Sequence, residues 1–277
     1  MLGRRRTTTS RPAIAPDWRA FDEVAEEYAR IRAPLHRPAA ADLVAALGPP
    51  AEGGLLDLGT GTGVLLAEAR KAGWRPAVGV DRSVPMLAQA RASGPAAVAA
   101  ADAVDLPFRD ATFGAVAGAF VIHTFSRYET ALFDLVRVLR SGGRAGFATW
   151  GSTDDEFSRT WRSIAETYST RELLADAVRR AAPWRERFSD PGRLDEALRG
   201  AGLRSVRVER RQYRASLSIE VYLASQEITA EGRFLRGMLP ETMWARFRDQ
   251  VRETFRSRFA EPLGDTYEVL LSIGSKE

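Results

Sequence analysis

Apolar residues recur three and four apart near the start of the chain. Phe21, Val24, Ala25, Tyr28 and Ile31 form one helical stripe, and the spacing predicts a helix opening at Asp17. A second helix is predicted over 38–47, with Pro38 in its first turn and Gly48-Pro49-Pro50 as its stop. The period then switches. Short apolar runs at 55–58, 76–80, 97–101, 115–121 and 144–150 read as strands. Helical patterns at 64–72, 85–92 and 128–139 fall between them, the last stopped by Ser141-Gly142-Gly143. Such alternation predicts a parallel sheet covered by helices on both faces, with right-handed crossovers. After Trp150 the pattern changes again. Residues 157–188 read as irregular helix. Residues 191–201 read as a helix with Asp190 as its N-cap and Gly202 past its end. A strand is expected over 206–213, mostly helix over 219–260, and a last strand over 267–273.

A length of 277 residues exceeds the ~100–200 of a common domain, which fits one large domain with insertions or a core plus a cap. Residues 1–16 are expected to be a disordered tail, since no apolar stretch follows Arg4-Arg5-Arg6 to make a secretion signal. Residues 17–150 are expected to form the core with its N-terminal helices. Residues 151–277 are expected to supply the rest of the sheet, with helical lid insertions at 151–188 and 217–262. The chain has no cysteine. That excludes disulfides, thiolate metal sites and a cysteine nucleophile, and it is compatible with a reducing, cytoplasmic location. No apolar run reaches the ~18–20 residues of a membrane helix. The net charge of +4 reads either as attraction to an acidic partner or as an arginine-rich surface balanced by Asp and Glu. The arginines are spread along the chain, which favours the second reading.

The strand at 55–58 runs directly into Gly59-Thr60-Gly61-Thr62-Gly63 and then a helix. Only glycine turns that sharply while leaving room for a ligand against the backbone, and such turns are where α/β sheets hold nucleotide-like ligands. Three carboxylates stand at matching places: Asp57 near the end of the first strand, Asp81 ending the second, and Asp102 after the third. Asp81 can accept hydrogen bonds from two ribose hydroxyls, or serve only as an acid at a helix start. Asp102 can hold an adenine amino group, or cap its own loop.

The ordered set 57–63 (Asp-Leu-Gly-Thr-Gly-Thr-Gly), Gly79-Val80-Asp81, 101–108 (Ala-Asp-Ala-Val-Asp-Leu-Pro-Phe) and 137–143 (Arg-Val-Leu-Arg-Ser-Gly-Gly) resembles the class I S-adenosylmethionine-dependent methyltransferases. Within them it is most similar to the group that includes the ubiquinone and menaquinone C-methyltransferases. The resemblance covers roughly residues 21–150. It implies a Rossmann-like α/β fold: a doubly wound, mostly parallel seven-stranded sheet with an antiparallel last strand. It also implies S-adenosyl-L-methionine as cofactor and no metal. By the same resemblance Gly59 and Gly61, with Asp57, Thr60 and Thr62 close by, would meet the amino-acid part of the cofactor. Asp81 would hold the ribose, Arg82 and Met86 would flank the adenosine, and Asp102 and Ala103 would contact adenine. Ala119 and Phe120 would line the methyl-transfer region, and Tyr28 would close over the cofactor. The chain departs from the family at Phe113-Gly114, where Phe-Asp is usual, and at Ser141, where proline is usual.

His123, just past the fourth strand, is expected to face the cofactor edge as a proton acceptor; the alternative is packing beside Phe125. His36 is expected between two helices, as a structural or rim residue. Aromatic residues beyond the core, among them Trp150, Trp161, Tyr222 and Trp244, suggest either a helical lid over an apolar substrate or ordinary packing. Arg211, Arg233 and Arg236 can meet an acidic substrate group or form a solvated face. The expected function is methyl transfer to a small, partly apolar acceptor, a secondary metabolite or quinone-like compound. Nucleic acid and membrane are not expected as partners, and a homodimer is allowed. The alternatives are a nucleotide-dependent oxidoreductase, a nucleic-acid methyltransferase and a non-catalytic cofactor-binding protein. The glycine spacing argues against the first. Ala119-Phe120-Val121-Ile122, where an Asn/Asp-Pro-Pro-aromatic run would stand, argues against the second.

Overall fold

Leu55–Leu58 (β1) is apolar except for Asp57 and buried at every position, as a strand between two neighbours and under helices on both faces must be. β1 lies parallel to β2 (Ala77–Asp81) on one side and to β4 (Phe113–Ala119) on the other. β2 pairs in parallel with β3 (Ala97–Ala100), and β4 with β5 (Leu139–Trp150). Then β7 (Leu263–Ser275) runs antiparallel to both β5 and β6 (Arg204–Leu217). The sheet order is β3-β2-β1-β4-β5-β7-β6. This is the mostly parallel, doubly wound sheet expected from the chain. The order reverses between β1 and β4, and a crevice opens at the C-terminal ends of strands at such a point. The computed structural model describes residues 19, 21–94, 96–152 and 155–277. The tail expected over 1–16 and the helix start expected at Asp17 lie outside the described residues.

Helices cover both faces. On one, α5 (Tyr128–Val138) and α9 (Pro191–Gly200) bury Leu132, Leu135, Leu194 and Leu198 against the sheet. On the other, α2 (Ala33–Ala46) and α3 (Val64–Lys71) bury Leu43, Val44, Leu65 and Leu66. Asp190 caps α9, its Oδ1 accepting from the Arg193 N–H at 2.8 Å. A third cluster is built away from the sheet. It joins α6 (Glu156–Tyr168) and α7 (Arg171–Ala181), inserted after β5, to α10 (Ile219–Glu227), α11 (Ala230–Met238) and α12 (Glu241–Arg258), inserted between β6 and β7. Trp161, Tyr222, Trp244, Phe247 and Phe255 are buried there among one another. The short α8 (Arg185–Phe188) links α7 to α9. Among the described residues no helix is long and apolar enough to cross a membrane.

The N-terminal boundaries differ from the expected ones. The first helix, α1, spans only Ala25–Ile31. The second begins at Ala33, five residues before the proline expected to open it, and passes through Pro38. A proline inside a helix forfeits one backbone hydrogen bond. Here Ala39, Ala40 and Leu43, all fully buried, hold the helix by packing. The consequence is that His36 is not between helices but inside α2, on its buried side. Gly114 also has a structural cause. A Cβ there would lie 2.4 Å from the Glu52 carbonyl oxygen, so this chain has no room for the aspartate usual at that position.

Candidate active site

The loop after β1 turns on glycines held at positive φ. At Gly59 (φ 62°) a Cβ would lie 2.2 Å from Val121 Cγ2, so a side chain is excluded by space as well as by conformation. At Gly61 (φ 51°) a Cβ would find only the Gly59 carbonyl oxygen within 4.0 Å, so the bare backbone looks onto open space. Asp81, ending β2, fixes this turn. Its Oδ2 accepts from the Gly61 N–H at 2.8 Å and its Oδ1 from the Ser83 N–H at 2.9 Å. One carboxylate thereby ties the glycine loop to the start of α4 (Val84–Ala92). Ser83 caps α4 and donates its hydroxyl proton to Asp22, which brings the N-terminal segment over the same edge. Burial raises the Asp81 pKa, and the backbone donors oppose the rise.

These elements line a cleft of about 130 Å³ that opens to solvent. Ten of the residues singled out from the sequence line it together: Tyr28, Gly59, Gly61, Asp81, Arg82, Met86, Asp102, Ala103, Ala119 and Phe120. Asp102 pairs with Arg82 at 3.5 Å and also accepts from the Val104 N–H at 3.2 Å. Phe120 adopts φ 57°, a conformation costly for a bulky residue. This turns its ring between His36 and Trp150, with centroids 4.3 and 4.4 Å away. Phe21, Thr124, Phe125, Ser126 and Ala181 also line it, and no sequence signal marked them as site residues.

Four expected site residues do not line the cleft. Asp57 is turned inside, where its Oδ2 accepts from the Thr60 hydroxyl at 2.7 Å while Oδ1 has no partner among the described residues. Burial lifts the Asp57 carboxyl to about 7. Thr60 fills the space left by Gly79, where a Cβ would meet its Oγ1 at 2.6 Å. Thr62 is buried within the turn. His123 lies in a single 3-10 turn, Ile122–Thr124, behind the cleft wall, with a buried ring whose Nδ1 has no partner among the described residues. Its backbone carbonyl accepts from the Trp184 N–H at 3.2 Å. Burial, and then the charge of Arg185, lower its pKa to about 3.

His36 is the histidine that reaches a lining residue. Its Nδ1 is 3.1 Å from the Tyr28 hydroxyl, and its Nε2 has no partner among the described residues. Burial, then Arg32 and His123, hold its pKa down near 3, and burial pushes Tyr28 up to about 12. Both groups are therefore neutral at pH 7, and the tautomer of the imidazole sets which of them donates. The arginines suspected of meeting substrate are engaged elsewhere. Arg211 pairs with Glu209, Arg236 with Glu241, and Arg233 donates to the Ile228 carbonyl.

The cleft fits an adenosine-bearing sulfonium. A ribose diol needs a fixed carboxylate, an adenine needs an acceptor beside small side chains, and a zwitterionic tail needs bare backbone. Asp81, Asp102 with Ala103, and Gly59 with Gly61 present those groups along one wall.

Comparison with known proteins agrees with this geometry. The family profile described as "Methyltransferase domain" matches residues 56–147. The demethylmenaquinone methyltransferase of Thermus thermophilus is 46% identical over 96 residues, 32% of this chain and 44% of that protein. The chain thus matches less than half the length of such relatives. The malonyl-[acyl-carrier protein] O-methyltransferase of Pseudescherichia vulneris is 32% identical over 198 residues, covering 68% of this chain and 76% of that protein. In fold, the chain is similar to a crystal structure from Thermotoga maritima titled as a SAM-dependent methyltransferase, possible histamine N-methyltransferase. The TM-score is 0.56 at 19% identity, over 94% of this chain and all of that one.

Proposed function

Since the chain belongs to the class I S-adenosylmethionine-dependent methyltransferases, we propose that it transfers a methyl group to a small, partly apolar acceptor. One observation carries the reading. Gly59, Gly61, Asp81 and Asp102 line the same cleft as Tyr28 and Phe120, at the ends of neighbouring strands. Bound S-adenosylmethionine supplies a methyl group on a positively charged sulfur, a ready leaving group. The chain's task is to hold it, to align the acceptor in line and to exclude water; positioning of this sort is worth ~7–11 kcal/mol. Asp81 would hold the ribose and Asp102 the adenine, with Arg82 and Met86 flanking the adenosine. Phe120, packed between His36 and Trp150, supports an apolar wall on the acceptor side.

Neither histidine beside the cleft is poised to take a proton near neutrality, since both are held near 3. Tyr28 keeps its proton up to about 12. The site therefore suits an acceptor that arrives already nucleophilic: a carboxylate, an ionised phenol or enol, or an unprotonated amine. In this reading Tyr28, held by His36, orients the acceptor, and His123 supports the wall. A homodimer and a cytoplasmic site of action complete the proposal; light scattering of the purified chain decides the first, and imaging of a tagged chain the second.

Incubation with methyl-labelled S-adenosylmethionine and a panel of carboxylates, phenols and amines tests the reading. Label transfer to at least one acceptor is expected. Absence of cofactor binding by calorimetry would refute it. Cofactor binding without transfer to any acceptor would favour a non-catalytic binding protein.

A further inference from the structure

Two arginines beside the cleft are left without a role by the cofactor. Arg32 follows Tyr28 by one helical turn and precedes His36 by another, at the junction of α1 and α2. Arg185 opens α8 and places its guanidinium carbon 5.9 Å from the centroid of the Trp150 ring, the ring that packs against both Phe120 and His36. The two arginines come from distant parts of the sequence to one neighbourhood. Each lies close enough for the charge of Arg32 to act on Arg185 and on His36.

Neither guanidinium makes an ion pair or a side-chain hydrogen bond with any described residue. Neighbouring arginines on the inserted helices do. Arg162 pairs with Glu231 at 3.4 Å, and Arg236 with Glu241 at 2.8 Å. Arg32 is half-buried, and solvent still reaches Arg185. Partial desolvation lowers the pKa of both. The carboxylates that act on them, Asp265 on Arg32 and Glu231 on Arg185, do so from beyond ion-pair distance, so an anion in contact with both guanidinium groups would be their first direct partner. A guanidinium presents a planar fork of N–H donors that matches a carboxylate or a phosphate.

We propose that Arg32 and Arg185 form the subsite for the anionic end, a carboxylate or a phosphate, of the methyl acceptor, whose apolar body lies against Trp150 and Phe120. This rests on reading the cleft as a methyl-transfer site.

Calorimetric titration of the full chain with octanoate, octyl phosphate, octanol and octyltrimethylammonium tests it, each with and without saturating S-adenosylhomocysteine. At least one anion is expected to bind about tenfold or more tightly than octanol, in line with a charged hydrogen bond gained. The cationic probe is expected to bind more weakly than octanol. The tighter of the two anions identifies the source as a carboxylate or a phosphate. Arg185→Gln and Arg32→Gln are each expected to weaken the anion by about tenfold, with S-adenosylhomocysteine affinity unchanged. Arg185 is solvent-exposed at the start of a short helix, so its variant is expected to fold, and the wild-type probe series needs no variant at all. Anions that bind no better than octanol, or an anion affinity untouched by Arg185→Gln, overturn the proposal. Failure of the wild-type chain to bind S-adenosylhomocysteine would instead sink the cofactor reading. It would appear in its own titration, and the anion preference without cofactor would still decide the subsite.

Discussion

Replacing Asp81 by alanine probes the centre of the cleft. Its carboxylate does two jobs. It braces the glycine turn and the start of α4 through the Gly61 and Ser83 N–H groups, at 2.8 and 2.9 Å. It would also offer its remaining acceptor positions to the ribose hydroxyls, since a carboxylate has about four. Losing a hydrogen bond to a charged group costs ~1.5–3 kcal/mol, so S-adenosylhomocysteine is expected to bind ~10–150-fold more weakly to Asp81→Ala. The free protein is expected to lose ~1–3 kcal/mol as well, because the Gly61 and Ser83 N–H groups lose their acceptor. Asp81→Asn keeps the shape and one acceptor oxygen, but its amide nitrogen would face one of the two N–H donors, so it is expected to lose less stability than Asp81→Ala while the charged acceptor is gone. Calorimetry for affinity and urea unfolding for stability read both. An Asp81→Asn chain that is stably folded and binds S-adenosylhomocysteine as the wild type does would refute the ribose assignment.

Asp57 predicts a pH dependence. Burial raises its folded pKa from 3.8 to about 7, so between those values the native state binds more protons than the unfolded chain. Its contribution to stability is full below about pH 4 and is lost as pH rises through about 7. Asp57→Asn is expected to flatten that decline in urea unfolding between the two pH values, and an unchanged slope refutes it. Gly114→Asp, which restores the residue usual in the family, is expected to destabilise by ~1–3 kcal/mol, because its Cβ would meet the Glu52 carbonyl. A melting temperature equal to wild type would count against that packing. His123→Ala is expected to lower the melting temperature while kcat for an acceptor found in the panel changes little. A kcat loss of ~100-fold or more in a folded protein would reinstate His123 as a proton acceptor.

The legible part of the fold was local. Strand and helix periods, the three glycines after β1, Asp190 as a cap and the order of elements all act within a few residues of chain, where spacing reports which face is buried. The same logic brought the glycine turn, Asp81 and Asp102 to one edge, since in a parallel sheet the ends of successive strands must lie together; the family resemblance supplied Tyr28, Arg82, Met86, Ala103, Ala119 and Phe120. Spacing could not separate Asp57 from Asp81. Both stand at strand ends, but one turns inward to Thr60 and the other outward to the cleft. Pro38 misled it for a related reason: a proline reads as a helix start, yet the packing of Ala39, Ala40 and Leu43 carries α2 through it and buries His36.

From sequence alone came the parallel core and the strand-end carboxylates, each written in a short run of residues, and the cofactor class, through the family resemblance that the ordered motifs carry. Tertiary structure alone decided which histidine touches a lining side chain, why Gly114 has no room for a side chain, and that Arg185, far along the chain from Arg32, comes near it and packs on Trp150. These depend on contacts between segments far apart in the chain. Their energies come from burial and close packing, and no local period records them.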